Sequence, residues 1–230
     1  MGWNSSLFEL SKIAQPTIPL VIAGSAFWTA CLWGFSRLIT RGIYSTFPPA
    51  LSILASLFSV LAFSYAFSCN IPFLYSYFFF FSALIVTVFT DATTLLISRY
   101  VTLYTMPVGW LASNMGLLPI TPLESIGGSL IGLLILVAVR FISKKFLGKD
   151  GLGQGDIDLL CFIGAFTGPS GCWITLMTAS LLGSILGIFY FILARGKRDI
   201  LLPFGMFLGM GAILYVLFQE RLIALFLPIY

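Results

Sequence analysis

The chain carries only eight acidic residues. Three of them, Asp150, Asp156 and Asp158, stand in one glycine-rich stretch, GKDGLGQGDIDLLCFIGAF (148–166). Another, Asp91, closes a long apolar run in FTDATTLLISRY (89–100). Asp91 and Asp156 thus share a setting, each at the edge of an apolar segment. Two carboxylates from different helices, once brought together, cannot both ionise cheaply; one holds a proton that the pair shares. One member can then act as base on a water while the other, as acid, protonates or polarises a peptide carbonyl. Their protons leave in two steps that belong to the pair. This chemistry needs no metal and no histidine, and the chain has no histidine at all.

The glycines beside Asp156 have a matching role. Gly153 and Gly155 lack side chains, so the backbone can bend there and an extended substrate can approach and add main-chain hydrogen bonds. Asp158 follows Asp156 by two positions and faces nearly the opposite side of a helix, outside such a pair. Asp150 is loop charge beside Lys149. Plainer readings exist for both acids. Asp156 could serve as a helix N-cap after a glycine turn. Asp91 could simply pair with Arg99 or a nearby lysine, although the long apolar run before it and ATTLLI after it fit that reading poorly.

The elements that must position these acids are membrane helices. The 230 residues are 59% hydrophobic and 9% charged, whereas soluble domains carry roughly 25% charged residues. Apolar runs fall at about 17–36, 50–68, 71–90, 100–118, 124–143, 157–168, 172–194 and 201–218. Several are about twenty residues long, enough to cross a bilayer core. They are continuous rather than alternating, which predicts an all-α, polytopic bundle of about eight helices in a single membrane-embedded domain, 1–230. The sixth run is short, a partial or tilted helix. The stretch 222–229 is too short to span and is expected at the surface. The N-terminal segment lacks the basic start and short apolar core of a cleavable signal peptide.

With the gaps between runs alternating sides, ten of the twelve basic residues fall on one side, and only Lys12 and Arg221 on the other. That bias marks the rich side as cytoplasmic, with both termini outward and both Asp91 and Asp156 at the cytoplasmic edge. The formal charge of +4 is therefore a topology signal, and no nucleic-acid partner is expected. The cysteines Cys31, Cys69, Cys161 and Cys172 lack zinc-site spacing and read as small buried hydrophobes. Small residues four apart (Gly128 and Gly132; Ala179, Gly183 and Gly187; Gly205 and Gly209) predict close helix approach in lipid. The aromatic run YFFFFSALIVTVF (77–89) reads as a lipid-facing or core surface.

With these residues in hand, the sequence resembles the type IV prepilin peptidases, membrane aspartic peptidases of the Gly-x-Gly-Asp class. GLGQGDIDLL (151–160) is similar to their second motif and places a catalytic aspartate at Asp156. DATTLLISRY (91–100) is similar to the motif with their first, at Asp91. LPFGMFLGMGA (202–212) resembles their Pro-Phe-Gly motif, which implies backbone support of the site by Pro203, Phe204 and Gly205. The resemblance implies cleavage of the leader from prepilin-like proteins, type IV pilins or type II secretion pseudopilins, at the cytoplasmic face of a bacterial inner membrane. It implies no metal or other cofactor for the cleavage; S-adenosylmethionine enters only if the N-methylation of many bacterial members is retained. Those members carry a cytoplasmic Cys-x-x-Cys domain between helices one and two, where this chain has only SRLITRGIYSTFPPA. Further departures are Thr93 where many members have an acid, Ser98 where they have proline, and Asp158 where they often have lysine.

Two other classes of function are compatible with acids in a membrane protein. An inactive homologue acting in pilus or secretion assembly would suit the departures. A proton-coupled transporter would place acids near the bilayer midplane in broken helices of symmetric halves, and no such repeat is visible. A presenilin-like protease shares Gly-x-Gly-Asp, but it pairs that motif with Tyr-Asp and Pro-Ala-Leu, where this chain has Thr90-Asp91 and no Pro-Ala-Leu.

Overall fold

A computed structural model describes residues 73–95, 97, 99–148, 152–193 and 203–226. The first two predicted runs, Cys31, Cys69, Ser98, Lys149, Asp150 and the basic group Arg195, Lys197 and Arg198 lie outside the described residues. Nearly all described residues belong to the second of two compact units, Tyr75–Tyr230. They form helices and no strand: α1 (Leu74–Thr94), α2 (Arg99–Asn114), α3 (Pro122–Leu147), α4 (Gln154–Leu193), α5 (Phe204–Leu217) and α6 (Gln219–Phe226).

The helix ends follow from local chemistry. Thr121, Pro122 and Glu124 start α3 with a complete capping box, in which the Glu124 carboxylate accepts from the Thr121 N–H at 2.7 Å. Pro122 loses nothing at the first turn, where an N–H would go unpaired. Gly148 ends α3 at φ 68°, a left-handed conformation that glycine adopts without strain.

α4 is not one rod. Gly168 adopts φ 71° and ψ −173°, and Pro169 follows it, well suited to begin a second helix. The contacts require the chain to reverse here. Along the first arm, Leu160 and Gly164 lie on Gly132 and Gly128 of α3. Along the second arm, Ser170, Thr178 and Gly183 meet Tyr215, Gly211 and Phe207 of α5 in turn. A straight helix would carry Gly183 roughly 40 Å from Asp156, at 1.5 Å per residue. Yet Phe207 lies two residues from Gly205, and Gly205 packs on the same Ile97 side chain as Gly155, the neighbour of Asp156. The two arms, 154–167 and 169–193, therefore stand side by side. They coincide with the short sixth run and the seventh run of the sequence.

Small residues fall where backbones meet. A Cβ on Gly128 would strike the Gly164 carbonyl, one on Gly132 would lie 2.8 Å from the Leu160 carbonyl, and one on Gly209 would strike Val88. The aromatic run contributes to the core: Phe80 stacks on Phe166 at 4.9 Å between ring centroids and lies 5.3 Å from Phe162, with all three fully buried. α3 buries Ser125, Gly128 and Ser129 while exposing Leu123, Ile126, Leu130 and Leu134. That inverted pattern, small and polar within and apolar without, belongs to a helix whose solvent is lipid.

Among the described residues, two stretches are long and apolar enough to cross a membrane, Pro122–Phe146 and Gln154–Phe189, the latter divided by the reversal at Gly168, and the α5–α6 pair, bent by 105°, makes a third candidate. This is a membrane protein. α6 buries no residue, in keeping with the surface position expected for the last apolar stretch.

Candidate active site

Asp91 lies near the end of α1 and is 4% exposed. Its Oδ2 accepts the Met206 N–H at 2.8 Å, and the Gly205 amide also acts on it. These are the second and third residues of α5, whose amides a capping side chain normally takes. The residue at the cap position is Pro203, which makes no side-chain capping bond. The start of α5 is thus capped across space by Asp91, and the positive end of the helix faces that carboxylate.

Asp156 lies in the first turn of α4 and is 9% exposed. Its Oδ2 accepts the Gly153 N–H at 3.2 Å. Gly153 occupies the cap position and Asp156 the third residue of the helix, so this bond is the returning half of a capping box. The local capping role foreseen for Asp156 is real, but it runs from the third residue back to the cap. Gly155, the residue before Asp156, and Gly205, which lies against the Asp91 carboxylate, pack on one side chain, that of Ile97, which brings the two aspartates into one neighbourhood. Two helix N-termini therefore converge on two carboxylates, Asp91 at the start of α5 and Asp156 at the start of α4.

Gly155 and Gly205 need to be glycine for a reason the sequence did not suggest. Neither has a positive φ. Both are pressed against Ile97, from the connection after α1. A Cβ on Gly155 would lie 2.7 Å from the Ile97 Cβ, and one on Gly205 would strike the Ile97 Cδ1 and come within 2.9 Å of the Asp91 Oδ2. Ile97 is wedged between the two helix starts that hold the carboxylates. Gly153 is different: it is exposed, and a Cβ there would meet only the Asp156 Oδ2, at 3.2 Å. Phe204 is half-buried at the first turn of α5.

Arg99 does not pair with Asp91. Its Nε donates to the Asp158 Oδ2 at 2.7 Å, and Asp158 is buried. Asp158 stands outside the dyad, as its position two residues from Asp156 predicts, but it is an ion-pair partner rather than a bystander. Sequence reasoning missed this pair, the Met206 amide and Ile97. The signal for the ion pair was present: opposite charges at the ends of two apolar runs assigned to the same membrane face. Among the described residues, no group of three or more His, Cys, Asp or Glu side chains could hold a metal ion.

The structure thus places an aspartate pair between helix ends, with a Gly-x-Gly-Asp turn on one side and a Pro-Phe-Gly turn on the other. The profile of the type IV leader peptidase family matches residues 78–192, half of the chain, and the protein belongs to that family. The matched span holds both aspartates, while the Pro-Phe-Gly turn lies beyond it. Relatives are named prepilin leader peptidase/N-methyltransferase. The one from Pseudomonas aeruginosa is 29% identical over 57% of this chain and 45% of its own length. That from Aeromonas salmonicida is 29% identical over 60% and 47%, and that from Xanthomonas campestris pv. campestris 32% over 46% and 38%. The match spans less than half the length of these relatives. No solved structure matches the chain.

Proposed function

We propose that this protein is an aspartic endopeptidase that removes the leader of prepilin-like proteins, type IV pilins or type II secretion pseudopilins, at the cytoplasmic face of a bacterial inner membrane. The observation that carries the reading is the convergence of Asp91 and Asp156, from separate helices, at two helix N-termini. Two amides of α5 support a negative charge on Asp91, whereas Asp156 receives one longer bond. Asp91 is therefore the base that takes a proton from the attacking water. Asp156 carries the shared proton and delivers it to the scissile carbonyl as the tetrahedral intermediate forms.

The orientation rests on charge. Arg99 starts α2, Lys144 and Lys145 lie in the last turn of α3, and Arg140 donates to Gln154 at 2.8 Å. All belong to the end of the bundle that holds the aspartates. The bias of basic residues toward the cytoplasm supports that face for the site. The proposed bundle of about eight spanning helices takes α1, α2, α3, the two arms of α4 and α5 together with the two runs outside the described residues.

The test is co-expression of the chain with a panel of prepilin-like substrates, with leader removal followed by gel shift. Wild type, Asp91→Asn and Asp156→Asn are compared at equal membrane abundance. Loss of cleavage in both variants supports the dyad; normal processing by either overturns it. Mass spectrometry of the new N-terminus decides whether methylation, and with it S-adenosylmethionine, belongs to this protein.

A further inference from the structure

The proposed peptidase chemistry uses Asp91 and Asp156 and leaves a second charged pair beside them without a role. Arg99 is the first residue of α2, and its Nε lies 2.7 Å from the Asp158 Oδ2. The pair is asymmetric: the Asp158 side chain is 7% exposed and that of Arg99 is 57% exposed. A fully exposed pair would contribute little. Here one charge is buried, and removing its partner would leave an uncompensated carboxylate inside the bundle.

The placement gives the pair a purpose. Asp158 lies about 200° around the helix from Asp156 at 100° per residue, so Arg99 grips α4 from the face opposite the dyad. The same connection carries Ile97, packed against Gly155 and Gly205. The segment after Asp91 thus holds the start of α4 at two points, Gly155 and Asp158, which flank Asp156 along the chain.

We infer that the Arg99–Asp158 ion pair is a positioning clasp, which fixes the first turn of α4 so that Asp156 stays in register with Asp91. The inference rests on the peptidase reading for its catalytic consequence, but not for its geometric one. Two measurements therefore run in parallel on the full chain in membranes. The variants are Arg99→Asp, Asp158→Lys and the double reversal Arg99→Asp/Asp158→Lys.

The first measurement is cleavage of a prepilin-like substrate, with kcat and KM separated. Each single reversal is expected to lower kcat at least about tenfold with KM little changed, since small misplacements of reacting groups are costly. The double reversal should recover most of that loss, as coupled charges do. The second is disulfide cross-linking of Asp91→Cys/Asp156→Cys in a background without the four native cysteines. Its yield should fall several-fold with each single reversal and return with the double. A double reversal no better than the worse single in cross-linking overturns the clasp. So do single reversals that lower only protein abundance while kcat per folded molecule stays at the wild-type value. If wild type cleaves no substrate, the peptidase reading fails, and cross-linking still decides the clasp.

Discussion

The two aspartates are held in different ways. Asp156 is fixed by its own helix: its carboxylate bonds back to Gly153, three residues earlier. Asp91 is fixed by a helix that begins far downstream, through a bond to Met206 that spans 115 positions. One carboxylate is a local feature, the other depends on the whole bundle closing correctly. A pair built this way exists only when the fold is complete.

The largest expected effect erases the difference. Asp91→Asn and Asp156→Asn each remove one half of the acid–base pair and should lower kcat by about 1,000-fold or more, within the range of general acid–base catalysis. Leader removal measured at matched protein levels checks this. The wild-type pH–rate profile should be bell-shaped. Below the lower limb both carboxyls are protonated and no base remains; above the upper limb both are ionised and no acid remains.

Glycine substitutions sharpen the comparison. Gly205→Ala forces a methyl group against Ile97 and the Asp91 carboxylate, and should reduce kcat by about 100-fold through misplacement of the remotely held acid. Gly153→Ala meets only the end of the Asp156 side chain, and should cost less than about tenfold. Side-by-side kcat values test the order; equal losses would contradict it.

Pro203→Ser gives α5 a local side-chain cap in place of the remote one. The new hydroxyl would compete with Asp91 for the Met206 amide. Helix stability should rise by up to ~1 kcal/mol, while kcat falls a few-fold, about the effect of loosening one hydrogen bond. Thermal melting in detergent, paired with a cleavage assay, separates the two. Smallest in catalysis is Gly168→Ala, far from both acids. It should destabilise the protein by about 1–3 kcal/mol, because φ 71° with ψ −173° is a backbone region that only glycine occupies without strain. The kcat of the folded fraction should not change.

The sequence carried the site unevenly, along the same line. The surroundings of Asp156 were legible because their cause is local: a glycine turn, then an acid, then an apolar helix. The six later runs were legible as helices, and the interruption at Gly168-Pro169 had already divided the sixth run from the seventh. The partner of Asp91 was not legible through periodicity, since nothing near position 91 points to the amides of 205 and 206. Only the Pro-Phe-Gly resemblance marked that region, and it did so without saying which atoms it offers. Gly205 reads from the sequence both as helix packing and as site support; in the structure its neighbours are Ile97 and the Asp91 carboxylate. The glycines at 153 and 155 were expected to admit a substrate chain. Gly155 instead admits Ile97, and only Gly153 is exposed.

The reversal at Gly168 bears on how the protein is built into its membrane. The arm 154–167 reaches only about 21 Å as a helix, less than the hydrocarbon thickness, and it begins with two aspartates. Such a segment partitions poorly on its own. The arm 169–193 is longer, without an acidic or basic residue, and is joined to it by a turn with no slack. The two are expected to leave the translocon as a hairpin, the later-made half drawing the earlier one across, so Asp156 reaches its place only after the ribosome has passed well beyond it.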